Sequence, residues 1–274
     1  MIAVIIFIYD SITPFLSKLV ENLNNQSCVD FELIIFNDDV NSADKYFKNL
    51  RVAYHIENVF GTPFEIRLHS LRKLRSSKYD YLIFHDSDDL MSLNSVAIKI
   101  TYLKRFKLVV SDLSTMNDRG ELTQNKIWSK RLRNCFEFDY RFLIDKNIVG
   151  LGNTAIRKSV LSIDLIKPHS EPIAGDWFIF YSLIKEKNIH GVFTSECQTL
   201  YRQHNENIAG LQNLSITSLR RSIAVKKSHY QLLEMEEELS KLASIEEKIG
   251  SGDFGFSVGL NFHFFWWENL NYVT

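Results

Sequence analysis

The stretch that decides the fold is residues 81–89, YLIFHDSDD, in which Asp86, Asp88 and Asp89 follow an apolar run. A short run rich in aromatic and β-branched residues is typical of a buried strand. Carboxylates gathered at the end of a strand repel one another unless a counter-charge lies between them. Oxygen ligands of this kind favour Mg²⁺ or Mn²⁺, although Asp and Ser are also common in polar turns. These residues alone leave both a metal site and a plain turn open.

The first half of the chain alternates predicted strands with predicted helices. Such alternation indicates an α/β fold with a mostly parallel sheet flanked by helices. We expect Thr13 to cap the first helix, with Pro14 in its first turn. The predicted strands are 2–9, 31–36, 52–56, 81–85, 108–110, 192–193 and 199–201, and the predicted helices are 14–23, 66–76, 155–162, 178–184 and one or two over 215–249.

Polar or aromatic residues stand at the end of three of these strands. They are Tyr9 after the first, Asp38 after the second and Asp86 after the fourth. In α/β sheets, ligands bind outside the carboxyl ends of the strands. The turn after the first strand has no glycine, so it matches neither a dinucleotide-binding GxGxxG loop nor a Walker loop. The pattern predicts a ligand site of another kind at this edge.

The composition narrows the class of protein. The 274 residues are 45% hydrophobic and 24% charged, and the formal net charge of −1 gives no electrostatic reason to expect a nucleic-acid partner. Three widely separated cysteines without a CxxC motif suggest neither a disulfide framework nor a zinc site. No segment approaches the ~20 apolar residues of a membrane span. We expect a cytoplasmic protein.

Taken in order, the motifs resemble those of glycosyltransferases with the GT-A fold, specifically the inverting family 2. The resemblance covers about residues 2–210. Its landmarks are the strand–helix opening, the DxD sequence at 86–88, Gly-Asp-Trp at 175–177 and YRQH at 201–204. It divides the chain into a GT-A domain, residues 1–212, and a C-terminal helical extension with an aromatic tail, residues 213–274.

The resemblance implies a role for each matched position. The nucleotide of the donor is expected at the strand ends, the metal at the DxD motif, and the catalytic base in the Gly-Asp-Trp motif. The implied residues are Tyr9, Asp38, Arg67, Asp86 and Ser87 for the nucleotide, Asp88 and His204 for the metal, Asp176 for the base, and Asn153 and Trp177 for the acceptor side.

The implied reaction is the transfer of a sugar, with inversion, from a nucleotide diphosphate donor such as a UDP-sugar. The implied cofactor is Mn²⁺ or Mg²⁺. The implied acceptor is a saccharide or a lipid-linked saccharide in the synthesis of a bacterial surface glycan. Two alternatives stay open: a metal-dependent nucleotidyltransferase, which would want a glycine-rich basic loop after the first strand, and a GT-A domain that only binds nucleotide or serves as a scaffold.

The end of the chain is dense in aromatic residues, and it allows two interpretations. The aromatic side chains pack onto the main domain or a second subunit, or they anchor the protein at a membrane interface. The second interpretation would make the protein peripheral at the inner face of the cytoplasmic membrane. The residues concerned are Phe262, Phe264, Phe265, Trp266 and Trp267.

Overall fold

The structure is a computed structural model of the chain. It describes residues 1–162, 168–203, 211–213, 215–252, 254–255, 263–265, 267–268, 270 and 273, with only the backbone described at 211–213, 263 and 264. Twelve strands are present in this part: β1 (Ile2–Tyr9), β2 (Glu32–Asp38), β3 (Tyr54–Asn58), β4 (Tyr81–Phe84), β5 (Leu90–Met91), β6 (Leu108–Met116), β7 (Leu122–Gln124), β8 (Phe136–Phe138), β9 (Thr154–Arg157), β10 (Gly191–Arg202), β11 (Leu211–Asn213) and β12 (His263–Phe265).

Ten of these strands form one mixed sheet in the order β3-β2-β1-β4-β9-β6-β10-β5, with β7 beside β6 and β8 beside β10. Strands β3, β2, β1 and β4 are parallel. The residues of β1 from Ala3 to Ile6 are fully buried, because helices cover both faces of a parallel sheet and leave no polar side to the strand. The α/β fold with a mostly parallel, helix-flanked sheet is confirmed.

The second half of the sheet departs from the sequence prediction at two places. The helix expected over 155–162 is wrong: β9 occupies its first part and runs antiparallel between β4 and β6, followed by a 3-10 turn, Lys158–Val160. Ala155 and Ile156 are fully buried between their neighbouring strands, so tertiary pairing overrides local propensity. The two short strands expected near 192 and 199 are one strand, β10, with an irregularity between Thr194 and Gln198.

Seven α-helices are present in the described residues: α1 (Leu16–Asn24), α2 (Asp44–Phe47), α3 (Pro63–Arg75), α4 (Ser95–Leu103), α5 (Gly175–Glu186), α6 (Ile216–Leu232) and α7 (Glu236–Ser251). The capping role expected for Thr13 is wrong, because a 3-10 helix, Asp10–Phe15, contains Pro14 and leads directly into α1. Helix α3 begins with a capping box between Thr62 and Glu65, which satisfies two backbone amides at the start of the helix.

The C-terminal region packs onto the core of the sheet domain. Leu219 and Ile223 of α6 and Leu242 of α7 belong to the same buried cluster as the apolar residues of α5. The short strand β12 pairs antiparallel with β11. Within the described residues, no helix combines the length and apolar character that crossing a bilayer requires.

Candidate active site

The carboxyl ends of β1, β2 and β4 lie side by side, as the sequence predicted. Tyr9 stands opposite Asp38 in the register of β1 and β2. The His85 amide donates to the Ile5 carbonyl at 3.0 Å and so extends β4 along β1. The Ser87 hydroxyl donates to the Phe7 carbonyl, which ties the acidic loop after β4 to the end of β1. Tyr9 is 43% exposed at this edge of the sheet.

The acidic loop 86–89 concentrates negative charge in a buried place. Burial, followed by the charges of Asp88 and Asp176, raises the pKa of Asp86 to about 7 against the opposing effect of Arg67. Burial, followed by the charges of Asp88 and Asp86, likewise holds the pKa of Asp89 well above its usual range. A positive charge placed among these groups would favour their ionised forms. The loop is therefore electrostatically suited to a cation.

Arg202, at the end of β10, clamps this loop from the other side. Its backbone amide donates to Asp89 Oδ1 at 2.7 Å, and its guanidinium Nε donates to the Asp88 carbonyl at 2.7 Å. Only 3% of Arg202 is exposed, and its guanidinium Cζ lies over the ring of Phe15, 4.7 Å from the centroid. These contacts order the backbone of the loop, and Arg202 acts as a positioning residue.

Asp176 reaches the same region from the first turn of α5. Its Oδ2 accepts the Leu151 amide at 3.1 Å, and its Oδ1 lies 3.2 Å from Arg67 Nε, an ion-pair distance outside hydrogen-bonding alignment. Arg67 comes from α3, and its charge also acts on Asp86. The structure thus brings together three predicted residues from three separate elements.

The loop 147–153 forms the floor of the site. Gly152 lies so close to the acidic loop that a Cβ atom there would collide with Asp86 Oδ2. Asn153 shapes the loop: its Oδ1 accepts the Gly150 amide at 2.9 Å, and its Nδ2 donates to the Ile148 carbonyl at 3.0 Å. The polar groups of Asn153 therefore hold the loop in place.

A cavity of about 150 Å³ opens between the acidic loop, the 147–153 loop and the C-terminal segment. Three predicted site residues, Asp86, Asp176 and Asn153, line it. Trp177 instead points into the core, where it donates to the Leu143 carbonyl at 2.7 Å and stacks on His229 with ring centroids 3.6 Å apart. The other lining residues are Asp89, Leu113, Trp128, Asn147, Ile148, Gly150, Gly152, Thr199, Tyr201, Phe265 and Trp267.

The acidic loop offers carboxylate oxygens of the kind that fit a divalent cation. The structure's described residues contain no group of three or more His, Cys, Asp or Glu side chains arranged to hold a metal ion by themselves. Mg²⁺ at phosphate sites is usually held by one or two carboxylates together with the substrate phosphates. Asp89 Oδ2 is buried without a hydrogen-bond partner in that same part of the chain, as expected of an oxygen reserved for a ligand. His204, the second expected metal ligand, lies outside the described residues.

Several residues of the site were not assigned a role from the sequence. Arg202 lies inside the YRQH motif, so its position in that motif could have indicated that it belongs to the site. Gly152 was visible only as a loop glycine. Trp128 and Asn147 carried no signal, because they come from irregular segments whose position depends on the packing of distant strands.

Neither a protein-family model nor a curated protein matches the chain by sequence. Solved structures do match it. S. aureus TarS 1-349 in complex with UDP-GlcNAc superposes with a TM-score of 0.60 over 88% of this chain and 71% of that one, at 12% identity. GalNAc-T7 with UDP, GalNAc and Mn²⁺ superposes with a TM-score of 0.61 over 90% of this chain, at 12% identity. This chain matches about half of the GalNAc-T7 chain, 51%.

At these identities the likeness establishes the fold. The GT-A fold expected from the sequence motifs is confirmed, and both matched proteins were solved with a uridine nucleotide bound. The acidic loop and Asp176 are placed by the elements of that fold: β4 and the start of α5.

Proposed function

We propose that the protein is a metal-dependent glycosyltransferase of the inverting, family 2 type, which uses a nucleotide-sugar donor, most simply a UDP-sugar. The observation that carries the proposal is the convergence of Asp86, Asp89 and Asp176 on one cavity at the carboxyl ends of the strands. The bound nucleotides of the two matched structures support a uridine donor.

In this proposal Asp176 is the catalytic base. A catalytic base presents a carboxylate oxygen to the acceptor hydroxyl. Asp176 is paired with Arg67, and its Oδ1 is buried without a hydrogen-bond partner in the described part of the chain. It takes the proton from the acceptor hydroxyl, which attacks the anomeric carbon on the face opposite the leaving diphosphate. Such an attack inverts the anomeric centre.

The other residues bind and orient the donor. Tyr9 and Asp38 contact the nucleobase, Asp86, Ser87 and Arg67 lie along the nucleotide, and Asp88, with His204, holds the cation. A Mn²⁺ or Mg²⁺ ion bound there supplies Lewis-acid neutralisation of the diphosphate charge. Arg202 keeps the loop that presents these carboxylates in one conformation through its bonds to Asp88 and Asp89.

The acceptor is proposed only as a broad chemical class. The resemblance to family 2 favours a saccharide or a lipid-linked saccharide of a bacterial surface glycan. Association with a membrane or with a second copy of the chain through the C-terminal region is proposed on the same basis.

The experiment that tests the proposed donor is calorimetric titration of UDP, ADP and GDP, each with Mn²⁺ and with EDTA. Parent protein should bind UDP in Mn²⁺ and lose that binding in EDTA. Asp88→Asn should weaken UDP binding at least about tenfold, because hydrogen bonds and contacts to charged groups contribute roughly 1.5–3 kcal/mol. The control is Asp30→Asn, which changes an exposed carboxylate before β2.

If Asp88→Asn binds UDP as tightly as the parent protein does, the assignment of the cation to the DxD motif is wrong. A parent protein that binds none of the three nucleotides would contradict the proposed function itself.

A further inference from the structure

The cavity beside the acidic loop has an aromatic wall that comes from two distant parts of the chain. Trp128 stacks on Phe265 with ring centroids 4.6 Å apart and on Trp267 at 5.5 Å. Phe265 and Trp267 are 7% and 4% exposed. All three rings line the cavity, so the C-terminal segment closes a site whose other residues come from the sheet domain.

Polar contacts fix this wall in position. Glu268 is 5% exposed, forms an ion pair with Arg131, and accepts the Phe265 amide at 3.2 Å. On the opposite side, Asp112 Oδ1 accepts the Trp128 amide at 2.9 Å. The Arg131–Glu268 ion pair thus holds the C-terminal segment next to Trp128, and we refer to this ion pair as the clasp.

Four buried polar atoms that line this cavity have no hydrogen-bond partner among the residues that the structure describes. They are Trp128 Nε1, Asn147 Oδ1, Asp89 Oδ2 and Asp176 Oδ1. A buried donor or acceptor that is left unsatisfied destabilises the folded state, unless a ligand supplies the missing partner. Asp176 Oδ1 also pairs with Arg67, and Asp89 Oδ2 faces the proposed cation. The remaining donor and acceptor, Trp128 Nε1 and Asn147 Oδ1, indicate a ligand with hydroxyl groups, each of which donates and accepts.

The cavity has the size of a single ring. A water molecule needs roughly 10–15 Å³ measured in this way, so the 150 Å³ cavity holds about ten water-sized positions. That is room for one sugar ring. A sugar ring also has an apolar face of C–H groups, which suits an aromatic wall, with its hydroxyl groups at the edge.

We propose that the C-terminal segment completes a subsite for one sugar ring, in which Phe265 and Trp267 pack against the apolar face of the ring while Trp128 Nε1 and Asn147 bind hydroxyl groups at its edge. This inference rests on the proposed function and deepens it. The ring belongs either to the donor or to the acceptor, since both present the same chemistry. The selection of the sugar then depends on residues outside the DxD and Gly-Asp-Trp motifs.

The test uses three variants of the full chain. Trp128→Phe keeps the ring and removes Nε1, Asn147→Ala removes an acceptor, and Glu268→Gln breaks the clasp. The control is Glu246→Gln, which breaks the exposed Lys227–Glu246 pair between α6 and α7. Each protein is titrated in Mn²⁺ with UDP, UDP-GlcNAc and UDP-GalNAc. Saturation-transfer NMR then measures binding of glucose, galactose, GlcNAc and GalNAc to the UDP-loaded protein.

If the ring is the donor sugar, the three variants bind the UDP-sugars at least about tenfold more weakly than the parent does, while their affinity for UDP stays within about twofold of the parent value. If it is the acceptor sugar, the UDP-sugar affinities are kept and the NMR signal of the monosaccharides is lost. The control variant should match the parent in both measurements.

Equal losses for UDP and UDP-sugars, or no change in any measurement, would overturn the subsite. A parent that fails to bind UDP would overturn the proposed uridine donor separately. A monosaccharide signal that depends on Trp128 and Asn147 in the nucleotide-free protein would still support the subsite.

Discussion

Gly152 has no side chain, and this allows the acidic loop to approach its backbone closely. A Cβ there would collide with Asp86 Oδ2 and lie 3.5 Å from Asp89 Oδ2. We therefore expect Gly152→Ala to displace the Asp86 carboxylate and to lower the free energy of unfolding by about 1–3 kcal/mol, as overpacking does. Urea denaturation measures the stability, and titration with UDP in Mn²⁺ measures the site.

Gly150→Ala is the matched control, because its Cβ would meet Asn153 Oδ1 at an ordinary 3.5 Å. This variant should retain parental stability and affinity. If the two alanine variants behave alike, close approach at Gly152 is not what shapes the loop.

The acidic side chains could be predicted from the sequence, whereas their neighbours could not. Asp86, Asp88 and Asp176 stand in motifs with a recognisable spacing, and strand ends of a parallel sheet share one edge. Asn147 lies in a segment with neither periodicity nor a motif. Its place in the cavity follows from how β9 inserts into the sheet, which local sequence does not determine.

The contact between α5 and α6 contains a buried histidine. His229 stacks on Trp177 with ring planes 1° apart, and neither of its nitrogens has a hydrogen-bond partner within the described part of the chain. Burial, and then the charge of Lys226, lowers the pKa of His229 to about 3. The rings of Tyr181 and Tyr230 also face it.

The pKa of His229 differs between the unfolded and the folded state, and this difference sets the direction in which stability changes with pH. The unfolded imidazole titrates near pH 6.5, while the folded one stays neutral down to about pH 3. As the pH falls through this window, the unfolded state binds more protons, so the folded state loses stability. Between pH 7 and pH 5 we expect the parent to lose about 2 kcal/mol more than His229→Phe, which retains the stacking.

Urea denaturation at several pH values measures this difference. His190→Phe, at an exposed position, should follow the parent curve. Parallel curves for the parent and His229→Phe would show that His229 does not carry the pH dependence.

Element boundaries show where local patterns suffice and where they fail. Strand β1 agrees with its predicted range, because a continuous apolar run bounded by a polar turn has one common solution, a buried strand. Strand β9 was predicted as a helix, because Ala155 and Ile156 are compatible with both states and only pairing with β4 and β6 decides between them.

At the scale of the whole molecule, the sheet could be predicted from the sequence, whereas the packing of the C-terminal segment against Trp128 could not. Order and spacing of the motifs were enough to predict the GT-A fold, which the matched structures confirm. For the aromatic tail, the sequence allows both packing and membrane anchoring. In the described residues, Phe265 and Trp267 are buried against Trp128. This contact joins positions more than a hundred residues apart, which no periodicity encodes.

The most direct test of the account is the effect of Asp176→Asn on turnover and on donor binding in the same preparation. Asparagine can still accept the Leu151 amide but cannot take a proton. The measurements are UDP release from UDP-GlcNAc or UDP-GalNAc in Mn²⁺, and the Kd of the same donor. Asp44→Asn, in the first turn of α2, is the control.

We expect Asp176→Asn to bind the donor with near-parental affinity and to turn over about 10²–10⁴-fold more slowly, the usual cost of losing a general base. The control should match the parent in both rate and affinity. An Asp176→Asn variant that releases UDP at nearly the parental rate would contradict the account, because the base would then lie elsewhere.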